Sequence, residues 1–257
     1  MAIEEQDIRP QPLSRSRAWL RWIGDIVYPP TCPGCGVITA RHASFCPTCW
    51  RDIRFIERPY CEVLGIPFSY DPGPGMVCAE AIAEPPVFDR LRSVAIHEGP
   101  VRHLAHGLKY RDRTDLAPMM ALWLQRASDG FVAGCDGIVP VPLHRWRFAS
   151  RKFNQSAELA RHLSRLSGRP FLARTLLRVK NTSRQVGLTE RAREVNVRAA
   201  FKVAPGHEID VAGKHIVLVD DVYTTGATVS SAAGALKRAG ASEVTVLTFA
   251  MVVAGPI

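Results

Sequence analysis

The stretch His215-Ile-Val-Leu-Val-Asp-Asp-Val-Tyr-Thr-Thr-Gly-Ala-Thr-Val-Ser-Ser231 limits the fold of this chain more than any other. Its apolar run, His215 to Val219, does not alternate, ends at two adjacent carboxylates, and leads into a small-residue turn that opens a helix at about Val229. Such a run is buried on both faces, as in a parallel sheet. A helix to Arg238, Gly240 to stop it and a strand from Glu243 to Val252 complete a strand-helix-strand unit, whose crossover is expected to be right-handed. The fold class that follows is α/β, a parallel sheet flanked by helices.

Each residue type in the turn has a physical use. Thr224, Thr225, Gly226, Ala227 and Thr228 combine hydroxyl donors, a backbone that a ligand can approach closely and the free N–H groups of a helix start. That combination cradles phosphate. Asp220 and Asp221 stand just before it, at the carboxyl end of the strand, where open α/β sheets bind ligands. Carboxylates repel phosphate, so they serve another part of the ligand. A vicinal diol offers two donors to an ionised carboxylate, which only accepts, and the ligand so described is a phosphorylated ribose. No Gly-x-x-x-x-Gly-Lys-[Ser/Thr] occurs, which argues against a nucleoside triphosphatase.

Charge sharpens this reading. The chain carries a formal charge of +9. Residues 145–198 hold 14 Lys and Arg against 3 acidic residues, or +11, which leaves −2 for everything else. A basic excess confined to one region favours a polyanion such as pyrophosphate or nucleic acid. Gly137-Ile-Val-Pro-Val-Pro142 reads as a short strand whose prolines suit a sheet edge or a strand end. Arg145, Arg147, Arg151 and Lys152 follow in a strand-to-helix loop, before a helix that opens at Asn154-Gln-Ser and runs to about Ser167. Guanidinium forks at that sheet edge suit a pyrophosphate clamp. The polar segment from Lys180 to Asn196, with Arg184, Arg191 and Arg193, is long enough to be a lid over an anion.

The remainder organises as follows. Residues 1–14 read as a loose tail, and Trp19, Leu20, Trp22, Ile23, Ile26 and Val27 recur at helical spacing before Pro29-Pro30. Cys32-Pro-Gly-Cys35 and Cys46-Pro-Thr-Cys49 are paired knuckles suited to tetrahedral zinc in a closed, structural site, with a redox dithiol as the competing reading. Cys61-Glu-Val-Leu64 and Cys78-Ala-Glu-Ala81 look like a second pair with half its ligands replaced, their cysteines expected to be small buried residues. Leu91–Ile96 reads as a strand, Val101–Tyr110 and Leu116–Ala127 as helices, and Leu176–Val179 as a strand. No apolar stretch reaches 18 residues and no signal-like segment opens the chain, so the expected location is cytoplasmic with no membrane span. The divisions expected are 1–30, tail and helix; 31–85, a degenerate double zinc ribbon; and 86–257, the α/β domain.

The cysteine knuckles, Leu108-Lys-Tyr110, Val139-Pro-Val-Pro-Leu-His144, Arg151-Lys-Phe-Asn-Gln155, Thr182-x-x-Gln185-x-x-Leu188, Arg193-x-x-Asn196 and Val217 to Thr228 together resemble the ComF family, competence-protein relatives of amidophosphoribosyltransferases. The last segment alone is a signature shared by type I phosphoribosyltransferases. The chain departs from the pattern in the two missing knuckle cysteines and in Lys152, where the family often has glycine. The resemblance implies a type I phosphoribosyltransferase-like sheet behind a zinc ribbon, and transfer of the phosphoribosyl group from phosphoribosyl pyrophosphate to a nitrogen acceptor. By that resemblance Asp220 and Asp221 hold the ribose with Mg2+, Thr224 to Thr228 the 5′-phosphate, and Arg145, Arg147 and Arg151 the pyrophosphate. It leaves two other readings open: a non-catalytic sensor of the same ligand, and a DNA-uptake accessory that binds single-stranded DNA or a helicase partner. Homo-oligomerisation is compatible with all three.

Overall fold

A computed structural model describes residues 28–143, 153–179 and 200–253. The tail, the helix from Ser16, the arginine segment with Arg145, Arg147, Arg151 and Lys152, and the Lys180–Asn196 lid lie outside the described residues.

Four parallel strands form the main sheet: β1 (Arg90–Ile96), β2 (Gly137–Pro140), β5 (His215–Tyr223) and β6 (Glu243–Met251), in the order β1-β6-β5-β2. β5 and β6 are buried along most of their length, as a non-alternating apolar run requires. Val217 and Val219 pack into one layer, with α3 (Gly99–Tyr110), α4 (Ala117–Ala127), the short α5 (Phe131–Gly134) and α6 (Gln155–Ser167). Ile216 and Leu218 pack into the other, with α7 (Ala227–Arg238). The Pro140 strand is an edge, where a missing N–H costs no ladder bond.

Differences from the sequence reading are small and local. The long helix after β5 starts at Ala227 rather than at Val229, because Gly226 takes a left-handed φ of +75° and ends the turn there. Gly240, at φ +93°, stops the same helix as expected. β3 (Leu176–Arg178) and β4 (Phe201–Val203) do not join the main sheet but pair antiparallel with each other against α7.

Both cysteine regions wrap the outer edge of β1. The chain between them and Val63 of the second region supply a rail of hydrogen bonds, Ile56 N to Val94 O at 2.9 Å, Ile96 N to Arg54 O at 2.9 Å and Leu91 N to Val63 O at 2.7 Å, which covers much of that edge. The first region, with α1 (Pro47–Arg51), lies on the α3–α4 side, and the second, with α2 (Ala79–Ala83), on the α7 side. Arg92, 2% exposed, fastens the rail: its guanidinium donates to Glu62 at 2.7 Å and to Asp129 at 3.0 Å and lies over the Tyr60 ring. A buried cation is tolerable only with its partners supplied in this way. Among the described residues no helix is long and apolar enough to cross a membrane.

Candidate phosphate-sugar site and cysteine cluster

Asp220 and Asp221 occupy the last part of β5, which runs on for two further residues before the turn. Two elements grip the acids. Ser156, in the first turn of α6, donates its hydroxyl to Asp220 Oδ1 at 2.8 Å, and the Asp221 N–H donates to the same oxygen at 2.9 Å. Asn154 caps that helix by accepting from Ser156 N at 3.1 Å and ties it to the end of β2 by donating to Val141 O at 3.0 Å. Lys109, in the last turn of α3, sets its Nζ 3.1 Å from Asp221 Oδ2.

Burial, and then the neighbouring Asp221 charge, push the Asp220 carboxyl up to about 7, although Ser156, the Asp221 N–H and Lys109 pull it down. Two adjacent acids that repel in this way lower their energy by taking a cation, and the Lys109 ammonium already lies against Asp221.

Beyond the acids, Thr224 and Thr225 are exposed and Gly226 is buried. Gly226 takes a left-handed φ of +75°, and a Cβ there would also press on Tyr223 Oη at 2.6 Å, so this turn favours glycine. Among the described residues no side chain caps α7, which leaves the N–H groups of its first turn, Ala227 and Thr228 among them, available to an anion. The structure therefore brings Asp220, Asp221 and residues 224–228 together, while Arg145, Arg147 and Arg151 lie outside the described residues. Sequence reasoning missed Ser156 and gave Lys109 no firm role; the Asn154-Gln-Ser and Leu108-Lys-Tyr segments were the signals that pointed to them.

The second candidate is the cysteine cluster. The sulfurs of Cys32, Cys35, Cys46 and Cys49 all lie within 4.8 Å of one another, a set able to hold one metal ion. Burial would raise the Cys32 thiol, yet the N–H groups of Cys46, Cys35 and Gly34 hold it down to about 6. Burial and the other three cysteines push Cys49 the other way. Four thiolates cannot crowd together without a cation, so the donor set fits zinc. Gly34 sits against the N-terminal turn of α3: His103 Nδ1 is 2.7 Å from Gly34 O, and a Cβ on Gly34 would lie 3.2 Å from Pro100 Cβ.

Two family models match the chain, the double zinc ribbon domain over residues 23–82 and the phosphoribosyl transferase domain over residues 157–256. DNA utilization protein YhgH of Salmonella typhimurium is 37% identical over 212 residues, which cover 80% of this chain and 89% of that one. Competence protein F of Haemophilus influenzae is 30% identical over 207 residues, 78% of this chain and 87% of the relative. A ribose-phosphate pyrophosphokinase of Methanothermobacter thermautotrophicus is 32% identical over 124 residues, 44% of each chain.

Proposed function

This chain belongs to the family of DNA utilization protein YhgH and Competence protein F, and on that premise we propose that it binds phosphoribosyl pyrophosphate with Mg2+ and transfers the phosphoribosyl group to a nitrogen acceptor. One observation carries the reading: an acid pair and an uncapped helix start, separated by a turn with glycine in the left-handed region, meet at one end of β5. The pyrophosphokinase named for ribose phosphate is consistent with it.

Asp220 and Asp221 would hold the ribose diol and a magnesium ion, whose part is to neutralise the departing pyrophosphate. The turn from Thr224 to Thr228 would hold the 5′-phosphate, and Arg145, Arg147 and Arg151, which follow β2 in the chain, the pyrophosphate. The nitrogen lone pair forms the new bond to the anomeric carbon as the carbon–oxygen bond to pyrophosphate breaks. Pyrophosphate leaves with that electron pair, and the nitrogen's proton passes to water. Catalysis then rests on positioning and on fixed charge. The Cys32–Cys49 cluster would hold one structural zinc ion.

Calorimetric titration with phosphoribosyl pyrophosphate and magnesium tests the reading. Saturable binding is expected, and it should vanish in the Asp220→Asn/Asp221→Asn double variant with folding intact; equal affinity in both proteins would sink it. A cation can take both acids only after Asp220 has lost its proton, so affinity should rise as pH climbs through about 7 and level off above it.

A further inference from the structure

Three basic side chains near the acid pair have no role in holding the sugar phosphate: Lys109 contacts Asp221, and His97 lies within electrostatic reach of Lys109, Arg102 and Asp221. Lys109 pairs with Asp221 at 3.1 Å and its side chain is 26% exposed. Arg102, two turns earlier on α3, has no ion-pair partner among the described residues. His97 follows the last residue of β1, partly buried, and among the described residues its ring makes no hydrogen bond. Burial first, then the charges of Lys109 and Arg102, hold this imidazole below its usual range against the opposing pull of Asp221, which keeps it neutral near pH 7. Nearby acids are engaged elsewhere: Glu98 faces Arg54 at 3.6 Å and Asp115 meets Arg113 at 2.8 Å.

Strand order decides which reactant these groups face. β5 lies between β2 and β6. The arginine segment follows β2, whereas α3 packs on β6 and His97 N donates to Met251 O at the end of β6 at 2.7 Å. His97, Arg102 and Lys109 thus stand on the β6 side of the acid pair, away from the strand that leads to the arginines. In a single displacement the nucleophile and the leaving group occupy opposite faces of the sugar ring. With pyrophosphate on the arginine side, the nucleophile enters on the β6 side.

We propose that His97, Arg102 and Lys109 form the acceptor subsite, and that the acceptor is a nitrogen nucleophile bearing its own negative charge, such as a carboxylate next to the reacting nitrogen. The inference rests on the phosphoribosyl-transfer reading. Lys109 is the counter-ion of Asp221 in the free protein; once magnesium and the ribose hydroxyls occupy Asp221, its rotatable donors turn to the acceptor's anion. Arg102 adds a second cation, and neutral His97 supplies a hydrogen bond without repelling the attacking nitrogen.

Matched acceptors separate this inference from its premise. Pyrophosphate release is measured with aniline against 2-aminobenzoate and with uracil against its 6-carboxylate, in wild type, Lys109→Met and Arg102→Gln, while calorimetry follows binding of phosphoribosyl pyrophosphate with magnesium to each protein. The wild type should favour the charged member of a pair by about tenfold or more in kcat/KM, the scale of one hydrogen bond to a charged group. Lys109→Met should erase that ratio and Arg102→Gln reduce it. Bound phosphoribosyl pyrophosphate with equal use of both members, or with a ratio that survives Lys109→Met, overturns the acceptor subsite alone, whereas binding with turnover of neither member overturns the transfer reading and the subsite with it. Absence of binding to the wild type overturns the transfer reading and the subsite with it.

Discussion

The two cysteine regions share one backbone and diverge in what holds it. In the first, Cys32 N donates to Val37 O, Gly36 N to Cys32 O and Thr39 N to Pro30 O, at 2.7, 2.8 and 2.9 Å. In the second, Cys61 N donates to Ile66 O, Gly65 N to Cys61 O and Phe68 N to Pro59 O, at 2.8, 2.8 and 3.0 Å. The second knuckle closes on the first sulfur in each case, Cys46 N on Cys32 Sγ at 3.3 Å and Cys78 N on Cys61 Sγ at 3.2 Å. Where the first has Cys35 and Cys49, the second has Leu64 and Ala81, both buried in the core on the α7 side. The first leaves Val37, Ile38 and Trp50 exposed by half or more, and although Phe45 and Trp50 pack against Phe55 and Trp123, no apolar side chain occupies the positions of Cys35 and Cys49 themselves. A zinc knuckle keeps its fold without the ion once another surface fills its interior.

The comparison breaks most visibly on removal of metal. Chelation, or Cys49→Ser, should disorder the first ribbon, since a structural zinc contributes on the order of 10 kcal/mol to such small folds. Amide exchange should rise across residues 30–50 and stay slow across residues 60–82. Metal analysis should give one zinc per chain; two would mean that the second ribbon binds metal with two cysteines, and the contrast would fail.

Restoring the ligands sharpens it. Leu64→Cys with Ala81→Cys places four cysteines on a backbone that already has the knuckle hydrogen bonds, so the zinc count should go from one to two. Removing the substitute packing instead, by Leu64→Ala, should cost about 2–5 kcal/mol in urea unfolding, because Leu64 is 8% exposed and its neighbours can collapse only in part. A loss below about 0.5 kcal/mol, the scale of a surface substitution, would mean that the second ribbon is not held by its core.

Much of this was legible in the sequence, for reasons that also mark its limits. The β5 run lacks alternation because both faces are covered, and the prolines after Gly137 place β2 at an edge. Both are local signals. The burial of Cys61 and Cys78 followed from their lack of two partners. Long-range pairings leave no such trace: nothing in the spacing of residues 176–203 says that β3 meets β4, or that the last turn of α3 reaches β5. Within the site, the acids and the turn were readable because strand, carboxylates and helix start adjoin in the chain. Lys109 and Ser156 arrive from distant elements and could be placed only by the fold.

The smallest effects distinguish the ribbons through one glycine in each. Gly36 has φ +79° with nothing within 4 Å of an added Cβ, while Gly65 has φ +62° and a Cβ there would lie 2.6 Å from Leu91 O. Both positions need the left-handed region, so alanine at either should cost about 1 kcal/mol in backbone strain. Gly65→Ala must in addition push the second knuckle off the β1 backbone, against the bond from Leu91 N to Val63 O. Overpacking of that kind adds about 1–3 kcal/mol. The melting temperature should therefore fall further for Gly65→Ala than for Gly36→Ala, and extra zinc should leave the Gly65→Ala loss unrepaired. Equal losses would place the two knuckles in equivalent surroundings and remove the reason that only one of them can dispense with its ion.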